Sequence, residues 1–286
     1  MVSSQIKGII KAALAEDIGP GDMTTQATVP PRRTGRALAV AKGDFVVAGL
    51  DVFAAVFQTL DKKIRVTKRT ADGSRVRKGT VIAEVEGPLS AILQAERTAL
   101  NLFQRMSGIA TQTARYAAAV RKTKAEILDT RKTVPGLRLL DKMAVRLGGG
   151  TNHRFGLYDA VLIKDNHIEA AGGIAAAVAI LRKHLKKPAR IEVETKNLRE
   201  VKEALKCGVD IIMLDNMALD AMKEAVDFVA GRALLEASGN VNLQRVRAIA
   251  LTGVDWISVG ELTHSVRAAD ISLKVQGDRR SVKGRR

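Results

Sequence analysis

Residues 190–216 read RIEVETKNLREVKEALKCGVDIIMLDN, and this stretch decides the fold. Arg190 to Glu194 is a short β-branched run ending in acid. Leu198 to Cys207 then places its apolar residues at helical spacing, Gly208 stops the helix, and Asp210 to Asp215 is a second short apolar run. Two strands joined by a helix within so few residues form a βαβ unit, in which the strands lie parallel and the helix makes the crossover. The same cadence extends in both directions, with strand-like runs at Ala125–Asp129, Ala160–Lys164, Ala233–Ser238 and Asp255–Gly260. Helical periods lie between them at Leu137–Leu147, Gly172–Leu185, Ala218–Val229 and Leu243–Ala250. Six strands fall short of the eight of a closed barrel. The expectation is therefore α/β with an incomplete (open) β/α barrel, and a doubly wound sheet is the alternative.

The first hundred residues have a different texture. A helical period at Ser4–Ala15 precedes alternating segments at Arg36–Lys42, Ile64–Lys68 and Val81–Glu86, with turns at Asp72-Gly73 and Gly87-Pro88. These imply a smaller antiparallel sheet with one or two helices. Pro88 opens a long helical stretch, Ala91–Arg121, with an expected interruption at Ser107-Gly108, where the domain joint is placed.

Of the 286 residues, 46% are apolar and 27% charged, which excludes disordered and collagen-like chains. A single cysteine, Cys207, rules out a disulfide framework within the chain and points to the cytoplasm. The longest uncharged stretch near the middle, Ala170–Leu181, is too short to span a bilayer, so no membrane partner is expected. Forty-seven Lys and Arg against 30 Asp and Glu give +17, yet Lys62–Lys78 alone holds eight basic residues and the tail Gly277–Arg286 five more. Such peripheral runs read as solvated surface. With 3% aromatic residues and no recognised binding motif, no nucleic-acid partner is expected either.

Chemistry concentrates where the strands end. In order, the ends carry Asp129-Thr130-Arg131-Lys132, Lys164-Asp165-Asn166-His167, Glu192 with Glu194, Asp215-Asn216, Ser238-Gly239 and Gly260-Glu261. Any one of these could merely stop a strand. Six on one face are different, because that face is where barrels assemble active sites. Arg131, Lys132 and Lys164, with His153 and Arg154 in the preceding loop, form a cationic half suited to a dianionic acid. Glu194 and Asp215 form an acidic half suited to Mg²⁺ or sugar hydroxyls. Ser238-Gly239-Asn240, followed by a helix expected from Val241, suits phosphate. No zinc-ligand spacing, dinucleotide fingerprint or P-loop occurs.

Several blocks are more specific still: EGPLSAILQAERTALNLFQRMSGIAT (Glu86–Thr111), DTRKTVPGLR (Asp129–Arg138), GGGTNHRFGLYDAVLIKDNHI (Gly148–Ile168), EVE (Glu192–Glu194), LDN (Leu214–Asn216) and EASGN (Glu236–Asn240). With them the chain resembles the quinolinate phosphoribosyltransferase family almost end to end. The resemblance implies a sandwich domain (1–108, with 267–286 returning to it) and an incomplete barrel (109–266). It implies a homodimer, or a hexamer of dimers, in which one subunit's sandwich helps close its neighbour's barrel. The implied substrates are quinolinate and phosphoribosyl pyrophosphate, the implied cofactor Mg²⁺, and the products nicotinate mononucleotide, pyrophosphate and CO₂. By the same resemblance Arg131, His153, Arg154 and Lys164 hold quinolinate, and Arg97 is lent by the neighbouring subunit. Lys132, Glu194, Asp215, Ser238, Gly239, Gly260 and His264 serve phosphoribosyl pyrophosphate and its metal, with Glu194 and Asp215 as metal ligands and, with Lys132, as the catalytic set. The alternative is a paralogous pyrophosphorylase-like protein acting on another acid or base.

Overall fold

The computed structural model describes residues 2–185 and 189–276. Contacts divide the described chain into two units, residues 2–112 with 135–148 and 266–276, and residues 113–134 with 149–265. The stretch 135–148, read from the sequence as part of the barrel, thus clusters with the first unit.

The first unit begins with α1 (Ser4–Ile18), whose N-terminus Ser3 caps through its hydroxyl, and α2 (Met23–Thr28), capped by Asp22. Next come β1 (Thr34–Ala41), β2 (Phe45–Val46), α3 (Leu50–Leu60), β3 (Arg65–Lys68), β4 (Arg75–Val76), β5 (Val81–Pro88) and α4 (Leu89–Ala119). β5 lies between β1 and β3, antiparallel to both. Phe53 and Phe57 of α3 and Phe103 of α4 form an aromatic knot, with ring centroids 5.0 and 5.1 Å apart. All eight basic residues between Lys62 and Lys78 are exposed, as a solvated face requires.

The interruption expected at Ser107-Gly108 does not occur, because α4 runs unbroken through both residues. Ser107 is buried and its Oγ accepts from Ala48 N–H, so its polarity serves a neighbouring loop. Gly108 is required by approach: a Cβ there would lie 2.3 Å from the Arg267 carbonyl oxygen. Alanine would gain about 1 kcal/mol of helix propensity, but that is small beside a clash with backbone that cannot rotate away.

The second unit carries β6 (Glu126–Leu128), then, after α5 (Arg138–Leu147) of the first unit, β7 (Val161–Ile163), α6 (Asp165–Ala171), α7 (Ile174–His184), β8 (Ile191–Thr195), α8 (Leu198–Lys206), β9 (Ile211–Asp215), α9 (Leu219–Val229), β10 (Leu234–Ser238), α10 (Val246–Leu251), β11 (Trp256–Ser258) and α11 (Glu261–His264). The sheet order is β6-β11-β10-β9-β8-β7, and every pairing is parallel. From β7 to β11 each strand adjoins its successor, and the last pairs with the first. That is barrel order; a doubly wound sheet would reverse direction partway. β6 and β7 are the two ends of the sheet and do not pair; β6 meets only Thr151, through a lone bridge from Leu128, so the barrel is incomplete as expected.

Beyond it β12 (Ile271–Gln276) pairs antiparallel with β1, Arg36 opposite Gln276, completing the four-stranded sheet of the first unit. Residues 277–286 of the tail expected to return there lie outside the described residues. Among the described residues no helix is long and apolar enough to cross a membrane.

Candidate active site

Period-two alternation along the barrel strands selects the side chains that enter the interior. In β8, Val193 points outward into the apolar shell while Glu192 and Glu194 point inward; in β10, Glu236 and Ser238 share the inward face. At the C-terminal mouth lies a cavity of about 650 Å³. Its walls include Arg131, Lys132, His153, Arg154, Lys164, Glu194, Asp215, Ser238, Gly239, Gly260 and His264, every site residue expected from the sequence except Arg97. Arg97 lies in the first unit, exposed on α4.

The cationic half is held by local bonds. Lys132 N–H donates to Thr130 Oγ1 at 3.0 Å, and the Lys132 carbonyl accepts from Thr263 Oγ1 at 2.8 Å, tying the Arg131-Lys132 turn to α11. Burial, with Arg131 alongside, disfavours the charge on Arg154. Two neighbouring guanidiniums at a partly dry wall are a standing demand for an anion. Lys164 caps α6, a helix the sequence reading missed, and its N–H donates to His167 Nδ1 at 2.9 Å. Its ammonium lies 3.8 Å from Glu194 Oε2, so the two halves interleave.

Glu194 has its carboxyl pushed up by burial first, with Asp215 and Asp165 adding to the rise and Lys164 opposing it. Asp215 Oδ2 accepts from Asn216 Nδ2 at 2.9 Å. These two carboxylates supply hard oxygen donors of the kind Mg²⁺ takes, and leave room for the waters and substrate oxygens it retains.

The Ser238-Gly239 turn departs from expectation in one respect. The following helix begins at Val246, not near Val241, so no helix end points at the turn. The donors are the turn's own backbone amides. Gly239 adopts φ +85°, and a Cβ there would fall 2.2 Å from Asn216 Oδ1, so only glycine fits. Asn216 Oδ1 in turn accepts from Asn240 Nδ2 at 2.9 Å, and Asn216 N–H donates to the Ser238 carbonyl, which locks the turns after β9 and β10 together.

Beneath the cations sits a group only partly read from the sequence. His153 Nε2 lies 3.3 Å from Glu192 Oε2 and 3.3 Å from Glu236 Oε2, with both carboxylates buried. Burial works against a charge on the imidazole, while the two carboxylates favour one. A second ring proton would have to sit on Nδ1, yet Nδ1 accepts from Arg154 N–H at 2.8 Å. The hydrogen bond decides: the ring proton is on Nε2, facing the two carboxylates, while burial pushes the Glu192 carboxyl up. Glu236 lies inside β10 and not at its end, so the pattern of strand-end polar residues does not reach it; its signal in the sequence is an acid in the middle of LLEAS.

Residues 109–274 match the C-terminal domain of quinolinate phosphoribosyl transferase, and residues 22–107 its N-terminal domain. A Synechocystis protein named a probable nicotinate-nucleotide pyrophosphorylase (carboxylating) is 51% identical over 92% of this chain and 90% of its own length. The chloroplastic nicotinate-nucleotide pyrophosphorylase (carboxylating) of Arabidopsis thaliana is 46% identical over 98% of this chain and 86% of its own. Among solved structures, the nicotinate-nucleotide pyrophosphorylase of Francisella tularensis superposes with a TM-score of 0.92 at 42% identity, covering 96% of this chain and 98% of that one.

Proposed function

The chain belongs to the quinolinate phosphoribosyltransferase family, and on that premise we propose that the barrel cavity transfers the phosphoribosyl group of phosphoribosyl pyrophosphate to quinolinate, with Mg²⁺ and with loss of CO₂. The products are nicotinate mononucleotide and pyrophosphate, and the step leads into NAD. The observation that carries this reading is the meeting, around one mouth, of Arg131, Arg154, Lys132 and Lys164 with Glu194, Asp215 and the Ser238-Gly239 turn.

Quinolinate carries two carboxylates on adjacent ring carbons. Arg131 and Arg154 offer planar forks for them and Lys164 a point charge, and binding relieves the crowding of like charges described above. The turn at Ser238-Gly239 and the backbone at Gly260 accept the ribose 5-phosphate. The pyridine nitrogen forms its bond to the anomeric carbon as the bond to pyrophosphate breaks, and the ribose passes through an oxocarbenium-like state. Glu194 and Asp215 stabilise that positive charge, and Lys132 faces the departing pyrophosphate. When bound by Glu194 and Asp215, Mg²⁺ supplies further charge neutralisation for the pyrophosphate. Alkylation makes the ring nitrogen cationic. The carbon–carbon bond to the adjacent carboxylate then breaks, its electron pair stays on the ring carbon beside that nitrogen, and a solvent proton completes the product. The guanidiniums orient that carboxylate; no covalent intermediate is needed.

Incubation of the protein with quinolinate, phosphoribosyl pyrophosphate and Mg²⁺ should release nicotinate mononucleotide and CO₂ in equal amounts, with no product from nicotinate. Product from nicotinate, or none from quinolinate, would transfer the bet to a paralogue acting on another acid.

Arg97, exposed on α4, is contributed by a second copy of the chain in a homodimer or dimer-based hexamer. An Arg97→Ala chain and a Lys164→Ala chain should each be poorly active and should regain part of the activity when mixed, since half the hybrid sites are then intact. No recovery after verified subunit exchange would rule out sharing. Cytoplasmic residence rests on the lone, free Cys207.

A further inference from the structure

We propose that Glu192 and Glu236 are positioning residues for acid binding: facing the imidazole of His153 from β8 and β10, they hold the 152–154 segment, and with it Arg154, across the gap in the barrel. The proposal rests on the transferase reading for the identity of the acid.

The gap poses a mechanical problem. A closed barrel would have two more strands where β6 and β7 face each other, but the chain here offers a single bridge at Thr151 and then the irregular stretch 152–160. Arg154, which must present its guanidinium to within a fraction of an ångström, sits on that stretch. On the β6 side Asp129 anchors it, accepting from His153 N–H at 2.9 Å and Asn152 Nδ2 at 2.6 Å. On the opposite side the imidazole reaches through the interior. Its Nε2 lies 3.3 Å from carboxylates on both β8 and β10, and Ser258 of β11 donates its hydroxyl to the other oxygen of Glu236. One side chain thereby connects the segment to β8 and β10, and through Glu236 to β11. Because Arg154 N–H donates to Nδ1 of the same ring, the orientation of the imidazole and the position of the Arg154 backbone are set together.

The same three residues have the donor types of a metal site, and their ligand atoms lie within 4.8 Å of one another. The ring excludes that use. Neutral imidazole has one lone pair, and Nδ1 spends it on Arg154 N–H. Nε2 therefore carries the ring proton and has no lone pair to offer a cation.

The test compares Glu192→Leu and Glu236→Leu with the Glu192→Gln/Glu236→Gln double variant, which retains an acceptor at each position. In the parent chain, nitrogen-15 NMR of the imidazoles, with His153 assigned by its loss in His153→Asn, should show Nε2 protonated and Nδ1 bare. Each Leu variant should raise the KM for quinolinate by about tenfold or more, the scale of a lost hydrogen bond to a charged group, with the KM for phosphoribosyl pyrophosphate within about twofold of the parent. The Gln variant should keep the ring-proton pattern and hold both KM values near the parent's. Should the Leu variants fail to fold, the Gln variant still decides. A protonated Nδ1 in the parent, an equal rise in both KM values, or a fall in kcat with the quinolinate KM unmoved would each overturn the proposal. Absence of turnover by the parent would sink the transferase reading alone, since the ring-proton measurement needs no substrate.

Discussion

Replacing Glu194 by Gln should lower kcat by about a hundredfold or more, the usual scale for removing one preorganised charge from a developing one, and Asp215→Asn should do the same. The two carboxylates face the mouth from adjacent strands, β8 and β9, whose register sets Glu194 against Met213 and Thr195 against Leu214. A sheet register cannot drift by one residue without turning its buried set to the other face, so their separation is fixed by the core and not by flexible loops. They therefore present charge to the anomeric carbon without reorganising as the reaction proceeds. Amides of the same shape leave the packing intact and remove only the charge. Residues acting on one transition state are not additive, so the double variant should fall much less than the product of the singles. The measurement is kcat at saturating quinolinate and phosphoribosyl pyrophosphate, with the thermal midpoint as a check on folding. A loss below about tenfold in both single variants would show that the positive charge is stabilised elsewhere.

The barrel was legible because its signal is local. Buried parallel strands are short β-branched runs, helices repeat every three to four residues, and the site residues sit at the joins, so DTRK, KDNH, EVE and LDN announce themselves in order. Whatever depended on distant approach was not legible. Gly108 looks like a helix breaker until the Arg267 carbonyl lies against it. The helix expected from Val241 starts at Val246 because the turn residues before it are committed to Asn216 and to the glycine geometry at Gly239. Glu192 could be read as a strand-end acid but not as the partner of His153, since strands β8 and β10 are neighbours of β9 and not of each other. Arg97 shows the opposite case: its place in the AERTALN block marks it, while the structure of one chain leaves it exposed in the first unit.

The largest expected loss of stability lies away from the cavity, at Asp141. This residue of α5 is fully buried, and Arg105 of α4 meets it with both arms of its fork, Nε to Oδ1 at 2.8 Å and Nη2 to Oδ2 at 2.7 Å. Residues 135–148 belong to the first unit, and this pair is one bond that holds them there. An exposed pair such as Lys68 with Asp51 gains little, about 0–1 kcal/mol, because water screens the attraction and two long side chains must be ordered. At a dry site the balance changes. Removing one partner leaves the other charge without its fork partner at a largely buried site, and the cost is about 3–5 kcal/mol. Arg105→Leu and Asp141→Leu should each lower the thermal midpoint by roughly 10 °C. The double Leu variant should be less damaged than either single, because no charge is then left unpaired and apolar groups of similar volume fill the space. Lys68→Ala should leave the midpoint nearly unmoved. If Asp141→Leu shifts it no more than Lys68→Ala does, the fork carries no stabilising role and packing of α5 alone retains the segment.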